Sequence, residues 1–312
     1  MATAMTSTAK IVLCPGQGAQ YPGMGRDWAR TYTAAAETFR HADEVLDLDV
    51  SKACFDGPQE RIDNTDVAQV GIYVTSVACL RGLEQMGVCD DSTLAAAAGL
   101  SLGEYTALHL AGVFSFEIGL HLVSQRGRFM QEAAEERNSG MVALVGADEQ
   151  QANELCDAVR ENDVLVPANF NCPGQVVISG SDAACARAVM EAENRGLRAT
   201  ALNVAGAFHS PLMASAAERM AEELHHFDFE PPRVPVLSNV TGEPHGDDGD
   251  TIKELLVKQI THPVRWEQNI RWLLENAEGD FIEPAPNKVL RGLMRRIERK
   301  TKVQNYDTPP ED

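Results

Sequence analysis

The chain has 312 residues, 44% of them from the apolar set AVILMFWYC and 23% charged, the balance of a globular protein of one large or two unequal domains, not a disordered one. Its 46 acidic residues against 27 basic ones give a formal charge of −19, which disfavours general attraction to nucleic-acid phosphates or anionic lipid surfaces. The longest apolar run, around Leu94 to Leu100, is far shorter than the roughly 20 residues of a membrane helix.

Lacking a basic cluster and an apolar stretch, the opening MATAMTSTAK does not read as a signal peptide, so a cytoplasmic protein is expected. Lys10 to Pro15 (KIVLCP) is a short apolar run of strand length. It ends in the Gly-rich turn GQGAQYPGMG, after which Trp28 to Leu46 reads as a helix. A second such unit follows: Thr93 to Gly99 (TLAAAAG) is a small-residue strand that breaks at Ser101 into LGEYTALHLAG, where Leu102, Tyr105, Leu108 and Leu110 form a buried helix face. Alternating units of this kind predict a parallel sheet covered by helices. Phe116 to Glu135 is a further helix.

From Met141 the pattern changes. MVALVG is a strand, Glu149 to Glu161 a helix, VLVPANF and QVVISG a hairpin around Asn171 to Gly174, Asp182 to Gly196 a helix, and LRATALN a strand. The order β-α-β-β-α-β is the split unit of a ferredoxin-like fold, here inserted in the larger pattern. PVLSN (Pro235 to Asn239) and DFIEPA (Asp280 to Ala285) resume that pattern as strands, and Asn287 to Arg299 as a helix. Thr241 to Asp250 (TGEPHGDDGD) reads as a solvated loop and the closing TPPED as a disordered tail. The fold expected is α/β, a hydrolase-like parallel-sheet large domain over residues 1–133 and 212–312 with a small ferredoxin-like α+β domain over 134–211.

Gly99-Leu100-Ser101-Leu102-Gly103 is a G-x-S-x-G pentapeptide between a strand and a helix, the context of a nucleophile elbow. Glycines are needed on both sides because the reversal is tight and neighbouring chains come close. Ser101 is then either a nucleophile whose oxyanion is favoured at a helix N-terminus, or a plain serine N-cap between unrelated glycines. A nucleophilic hydroxyl needs a base. His41, His225, His226 and His245 lie in contexts that read as exposed, and His109 and His121 on helices where packing or surface roles fit. His209 sits in the Gly-containing loop AGAFHSP between the small domain and a new helix, where a cleft would form; it is a candidate base or a loop histidine. Gly16-Gln17-Gly18 is no phosphate cradle, since G-K-[ST] is absent and Tyr21 takes the place of a third glycine. Its backbone amides suit one half of an oxyanion hole. The seven cysteines (Cys14, Cys54, Cys79, Cys89, Cys156, Cys172, Cys185) are never spaced C-x-x-C, which predicts reduced thiols and no zinc site.

PGQGAQ (Pro15 to Gln20), GLSLGEY (Gly99 to Tyr105), QRGRFMQ (Gln125 to Gln131), NFNCPGQVVISG (Asn169 to Gly180), GAFHSPLM (Gly206 to Met213) and KQITHPVRW (Lys258 to Trp266) together closely resemble the malonyl-CoA:acyl-carrier-protein transacylase family. The resemblance implies that Ser101 accepts the acyl group, that His209 takes its proton, and that the main-chain carbonyl of Gln259 orients the imidazole. It implies an oxyanion hole from the backbone N–H groups of Gln17 and Leu102, and a carboxylate-binding role for Arg126, whose guanidinium matches the two oxygens of a malonyl group. Phe208 matches the malonyl-type signature and leaves no space for an α-methyl, a discrimination worth only about 1–3 kcal/mol. The implied reaction is ping-pong malonyl transfer from malonyl-CoA to a carrier-protein phosphopantetheine thiol in fatty acid biosynthesis. It uses no cofactor and no metal, and the protein is expected to be a monomer.

Two departures stand out: Leu100 replaces the family's usual histidine beside the nucleophile, bearing on acyl selectivity and rate, and Pro284-Ala285-Pro286-Asn287-Lys288 replaces a Gly-Pro-Gly-Lys turn. Between Lys288 and Lys302 seven basic residues face Glu298 alone, so that docking of an acidic carrier near Arg295 and Arg296 stands against ordinary surface ion pairing. Competing readings are a discrete acyltransferase of polyketide synthesis, an editing acyl-carrier hydrolase, and a non-catalytic carrier-binding protein.

Overall fold

The computed structural model describes residues 8–311; the MATAMTS opening and Asp312 lie outside them. The strands are β1 (Lys10–Cys14), β2 (Leu94–Gly99), β3 (Ser139–Val145), β4 (Leu165–Cys172), β5 (Gln175–Ser181), β6 (Arg198–Ala201), β7 (Val236–Leu237), β8 (Asp280–Pro284) and β9 (Val303–Tyr306). β7-β2-β1-β8-β9 form a five-stranded parallel sheet. Its alternation is visible in the packing: Val12, Cys14 and Ala97 face one helical layer with Tyr73 and Leu120, while Ile11, Leu13, Ala96 and Ala98 face the other with Trp266, Leu290 and Met294. Helices on both faces account for the run of small apolar residues in β2, which exposes neither side to water.

β4-β5-β3-β6 form a separate four-stranded antiparallel sheet. The helices Glu149–Val159 and Asp182–Asn194 give it a core of its own around Val142, Leu144, Leu155, Ile178 and Ala188. A capping box between Asp148 and Gln151 starts the first of these helices. The small sheet is stitched to the large body where Val264 N–H donates to Ala168 O (2.8 Å) and Phe170 N–H to Val264 O (2.9 Å).

Several expectations need correction. Trp28 to Leu46 is not one helix but Arg26–Thr31 and Thr33–Leu46, broken at extended Tyr32 inside the weak helix-forming run Thr31-Tyr32-Thr33. The last helix is Val289–Ile297, because Asn287 adopts a left-handed φ of 67°. Leu110 is only partly buried. Past that helix, Val303 and Tyr306 tuck in as the edge strand β9, and residues 308–311 carry no regular structure. The 241–250 stretch is not wholly solvated: Pro244 bridges back to Leu237, and His245, expected to be exposed, is 5% exposed. All seven cysteines are buried and free, and burial pushes the Cys54 thiol up to about 12. No helix among the described residues is long and apolar enough to cross a membrane, and among them no group of three or more His, Cys, Asp or Glu side chains could hold a metal ion.

Candidate active site

The turn after β2 is as tight as its glycines imply. A Cβ on Gly99 would lie 1.8 Å from the Gly103 carbonyl carbon, and one on Gly103 would lie 2.1 Å from Cys14 O, so neither position tolerates a side chain without backbone movement. Between them Ser101 has φ of 52°, a left-handed conformation that costs a non-glycine residue on the order of 1–3 kcal/mol and so must be held from outside. Two side chains hold it. Asn239 Oδ1 accepts from the Ser101 N–H at 2.6 Å, and Gln259 Nε2 donates to the Ser101 carbonyl at 2.9 Å.

His209 also has a left-handed φ, 57°, in a loop pinned by Ser210, whose hydroxyl donates to Ala207 O at 2.6 Å. Its Nε2 lies 2.8 Å from Ser101 Oγ and its Nδ1 lies 2.7 Å from the main-chain oxygen of Gln259. A carbonyl only accepts, so Nδ1 carries the hydrogen and Nε2 presents its lone pair to the serine hydroxyl. Burial, and then the positive charge of Arg126, bring the imidazole down to about 4, so it stands neutral near pH 7.

Arg126, on the helix Phe116–Glu135, is 1% exposed rather than on the surface, where arginines usually lie. Nη1 donates to Gln69 Oε1 (2.6 Å), and Nη2 to Gln259 Oε1 (2.8 Å) and Ser101 Oγ (3.0 Å). Its contacts are amide and hydroxyl oxygens; no carboxylate among the described residues pairs with it, and Nε is buried without a partner. Burial pulls this guanidinium below its ordinary value. A buried cation whose hydrogen-bond partners are all neutral suits an anion. It opens on a cleft of about 350 Å3 between the two sheets, lined among others by Gln17, Leu100, Asn169, Phe208 and Val289.

The sequence-derived candidates therefore converge: Ser101, His209, Arg126 and Gln259 are joined in one hydrogen-bonded ring, and Phe208 and Leu100 line the same cleft. No protein acceptor among the described residues takes the N–H of Gln17 or Leu102, although Leu102 is fully buried. Gln17 lines the cleft, whereas Leu102 is not among its lining residues. Leu100 is partly buried and packs against the Ile11, Leu13 and Leu293 cluster. Residues outside the sequence expectation complete the site. Gln69, a buried amide in the apolar helix Thr65–Gln85, carries a signal that could have been read, because a polar residue on a buried face needs a partner. Asn239, two residues past the short strand Val236–Leu237, carries none. Glu104 reads as an ordinary acidic residue in the first turn of a helix. The Gln259 side chain works as well as its carbonyl.

The profile of the acyl transferase domain matches residues 11–308. The malonyl CoA-acyl carrier protein transacylase of Bacillus subtilis strain 168 is 40% identical over 299 residues, 95% of this chain and 93% of its own. Among solved structures, the malonyl-CoA:acyl carrier protein transacylase of Xanthomonas oryzae matches with a TM-score of 0.92 at 36% identity, covering 98% of this chain and 96% of the other. A malonyl-transacylase solved in complex with its type II polyketide synthase acyl-carrier protein matches with a TM-score of 0.92 at 34% identity, over 96% of each chain.

Proposed function

The chain belongs to the acyl transferase domain family, and on that premise we propose that it moves malonyl groups from malonyl-CoA to the phosphopantetheine thiol of an acyl carrier protein for fatty acid biosynthesis. The observation that carries this reading is the buried Arg126 guanidinium, without a carboxylate partner among the described residues, 3.0 Å from the hydroxyl of the Ser101–His209 pair.

Ser101 Oγ attacks the thioester carbonyl while His209 Nε2 takes its proton. The carbonyl oxygen becomes an oxyanion received by the Gln17 and Leu102 N–H groups. Collapse breaks the carbon–sulfur bond, and the imidazolium returns its proton to the departing CoA sulfur. The same steps run in reverse when the carrier thiol attacks the malonyl ester. Because His209 binds protons weakly, it is a strong acid once protonated and gives the proton up readily. Gln259 O stabilises the transient imidazolium in place of a carboxylate. Arg126 holds the malonyl carboxylate, and Phe208, 5% exposed, closes the space an α-methyl would need. The thioester supplies the driving force, so no metal or cofactor enters, and the ester waits in a cleft that limits water.

The division into 1–133, 134–211 and 212–312, a cytoplasmic location and a monomeric state belong to the same reading. So does carrier docking on the helix Val289–Ile297. Arg295 is exposed, and none of the seven basic side chains from Lys288 to Lys302 pairs with a carboxylate among the described residues, which favours steering over surface ion pairing. Arg296 differs from Arg295 in reaching the carbonyls of Pro173 and Gly174 at 3.4 and 3.5 Å. Similarity to a transacylase solved with a polyketide carrier favours a second reading, the same transfer serving polyketide synthesis. Peptide mass spectrometry after exposure to malonyl-CoA tests the function: a malonyl adduct on the Ser101 peptide, absent in Ser101→Ala, is expected, and an unmodified wild-type Ser101 overturns it.

A further inference from the structure

We propose that Glu104, held by His245, is a positioning residue for this transfer: it fixes the Gln259 amide and Asn239, and through them the carboxylate-reading guanidinium and the conformation of the nucleophile. The inference rests on the malonyl-transfer reading and assigns work to two buried titratable side chains that the reaction steps leave unused.

Glu104 lies three residues beyond Ser101 with a fully buried side chain, as is that of His245. Three donors converge on its two oxygens. His245 Nε2 lies 2.6 Å from Oε1, while Gln259 Nε2 (2.7 Å) and the Asn239 N–H (3.2 Å) reach Oε2. The two groups bound to Oε2 are the same two residues that hold Ser101: Asn239 takes its N–H, and Gln259 donates to its carbonyl. Asn239 is fixed further by donating Nδ2–H to Gly99 O at 2.7 Å. The strained serine is therefore clamped on both sides of its peptide by residues that share one carboxylate.

The carboxylate also decides which way the Gln259 amide points. With Nε2 drawn to Glu104, Oε1 must face Arg126 Nη2. An amide turned the other way would present N–H to N–H at the guanidinium and withdraw an acceptor from a buried cation. Gln259 is also the residue whose main-chain oxygen orients His209, so nucleophile, base and guanidinium all lead back to one anchor. His245 serves that anchor alone, for its Nδ1 is buried with no partner among the described residues.

Glu104→Gln is nearly isosteric but removes the charge and one of the two acceptors, so the Gln259 amide either turns or, where His245 shifts its proton to Nδ1 and accepts from the new NH2, keeps only a neutral anchor. With malonyl-CoA or acetyl-CoA as donor and pantetheine as acceptor thiol, kcat/KM for malonyl should fall about 100-fold, the scale of a roughly 1 Å misplacement. The malonyl-over-acetyl preference should fall about tenfold, while Tm stays within a few degrees. Should Glu104→Gln fail to fold, His245→Leu decides, with the same direction and about a tenfold loss, which His245→Gln, retaining a donor to Glu104, should restore to within about threefold. Equal losses of malonyl and acetyl transfer, or a His245→Leu enzyme indistinguishable from wild type, overturn the proposal. A wild-type protein that acquires no malonyl adduct on Ser101 would instead overturn the functional reading beneath it.

Discussion

Replacing Arg126 with methionine keeps the side chain's length and apolar stem but deletes the charge. In the wild type this guanidinium is 1% exposed and bound to Gln69, Gln259 and Ser101. A malonyl carboxylate arriving there forms a desolvated, charge-assisted pair, and removing one partner of such a pair costs about 2–5 kcal/mol. At about 1.4 kcal/mol per tenfold, kcat/KM for malonyl-CoA should drop roughly 30-fold to a few thousand-fold, with a central value near 300-fold. Acetyl-CoA has no carboxylate to lose. It forfeits only the 3.0 Å bond from Nη2 to Ser101 Oγ, a change of about threefold to tenfold. The preference for malonyl should therefore shrink by about 30-fold to 100-fold. A second signature follows from electrostatics: Arg126 is one of the two causes holding His209 low, so the acid limb of acetyl transfer should move upward in the variant. Parallel kinetics with the two thioesters over a pH series measure both effects. Equal losses for malonyl and acetyl would refute the assignment.

The pH dependence of the wild type is fixed by His209. Acylation requires the neutral imidazole, so kcat/KM for malonyl-CoA should stay level through pH 6 and fall only toward about 4, whereas a drop centred at 6.5 would contradict the buried, cation-flanked base. In stability the unfolded chain takes up this proton near 6.5 and the folded chain near 4, so the contribution is lost as pH falls through that window, by about 3 kcal/mol. Glu283, pushed up to about 7 by burial, acts in the opposite sense, so the measurement is the difference between wild type and His209→Gln in urea unfolding at pH 7 and pH 5. Arg295→Glu should raise KM for an acidic carrier protein about threefold to tenfold at low salt and leave malonyl-Ser101 formation from malonyl-CoA unchanged; an unaltered KM would remove the docking site.

Where a local rule fixes a residue's environment, the sequence was readable. The G-x-S-x-G pentapeptide specifies a turn that only glycines at 99 and 103 can make, and the structure has backbone within 2.1 Å of where their Cβ atoms would lie. The split βαββαβ unit was legible because its hairpin strands are short apolar runs with Pro173-Gly174 between them. Asn239, Glu104 and His245 were not legible. Each is a single polar residue whose burial is decided by chain segments about 140 positions apart. His245 stands in a run of Gly, Asp and Glu that reads as solvated, and it is buried only because Pro244 pairs with Leu237 and the His245 N–H donates to Val236 O at 2.8 Å. β9 escaped for a related reason: Val-Gln-Asn-Tyr buries its two ends, with no alternation to reveal a strand.

The most direct test of the account offers equal concentrations of malonyl-CoA and acetyl-CoA to the protein with no acceptor thiol and quantifies both adducts on the Ser101 peptide. A guanidinium that demands a carboxylate predicts malonyl-Ser101 in large excess, with the excess abolished in Arg126→Met. Equal amounts of the two adducts, or acyl groups found on another residue, would contradict it.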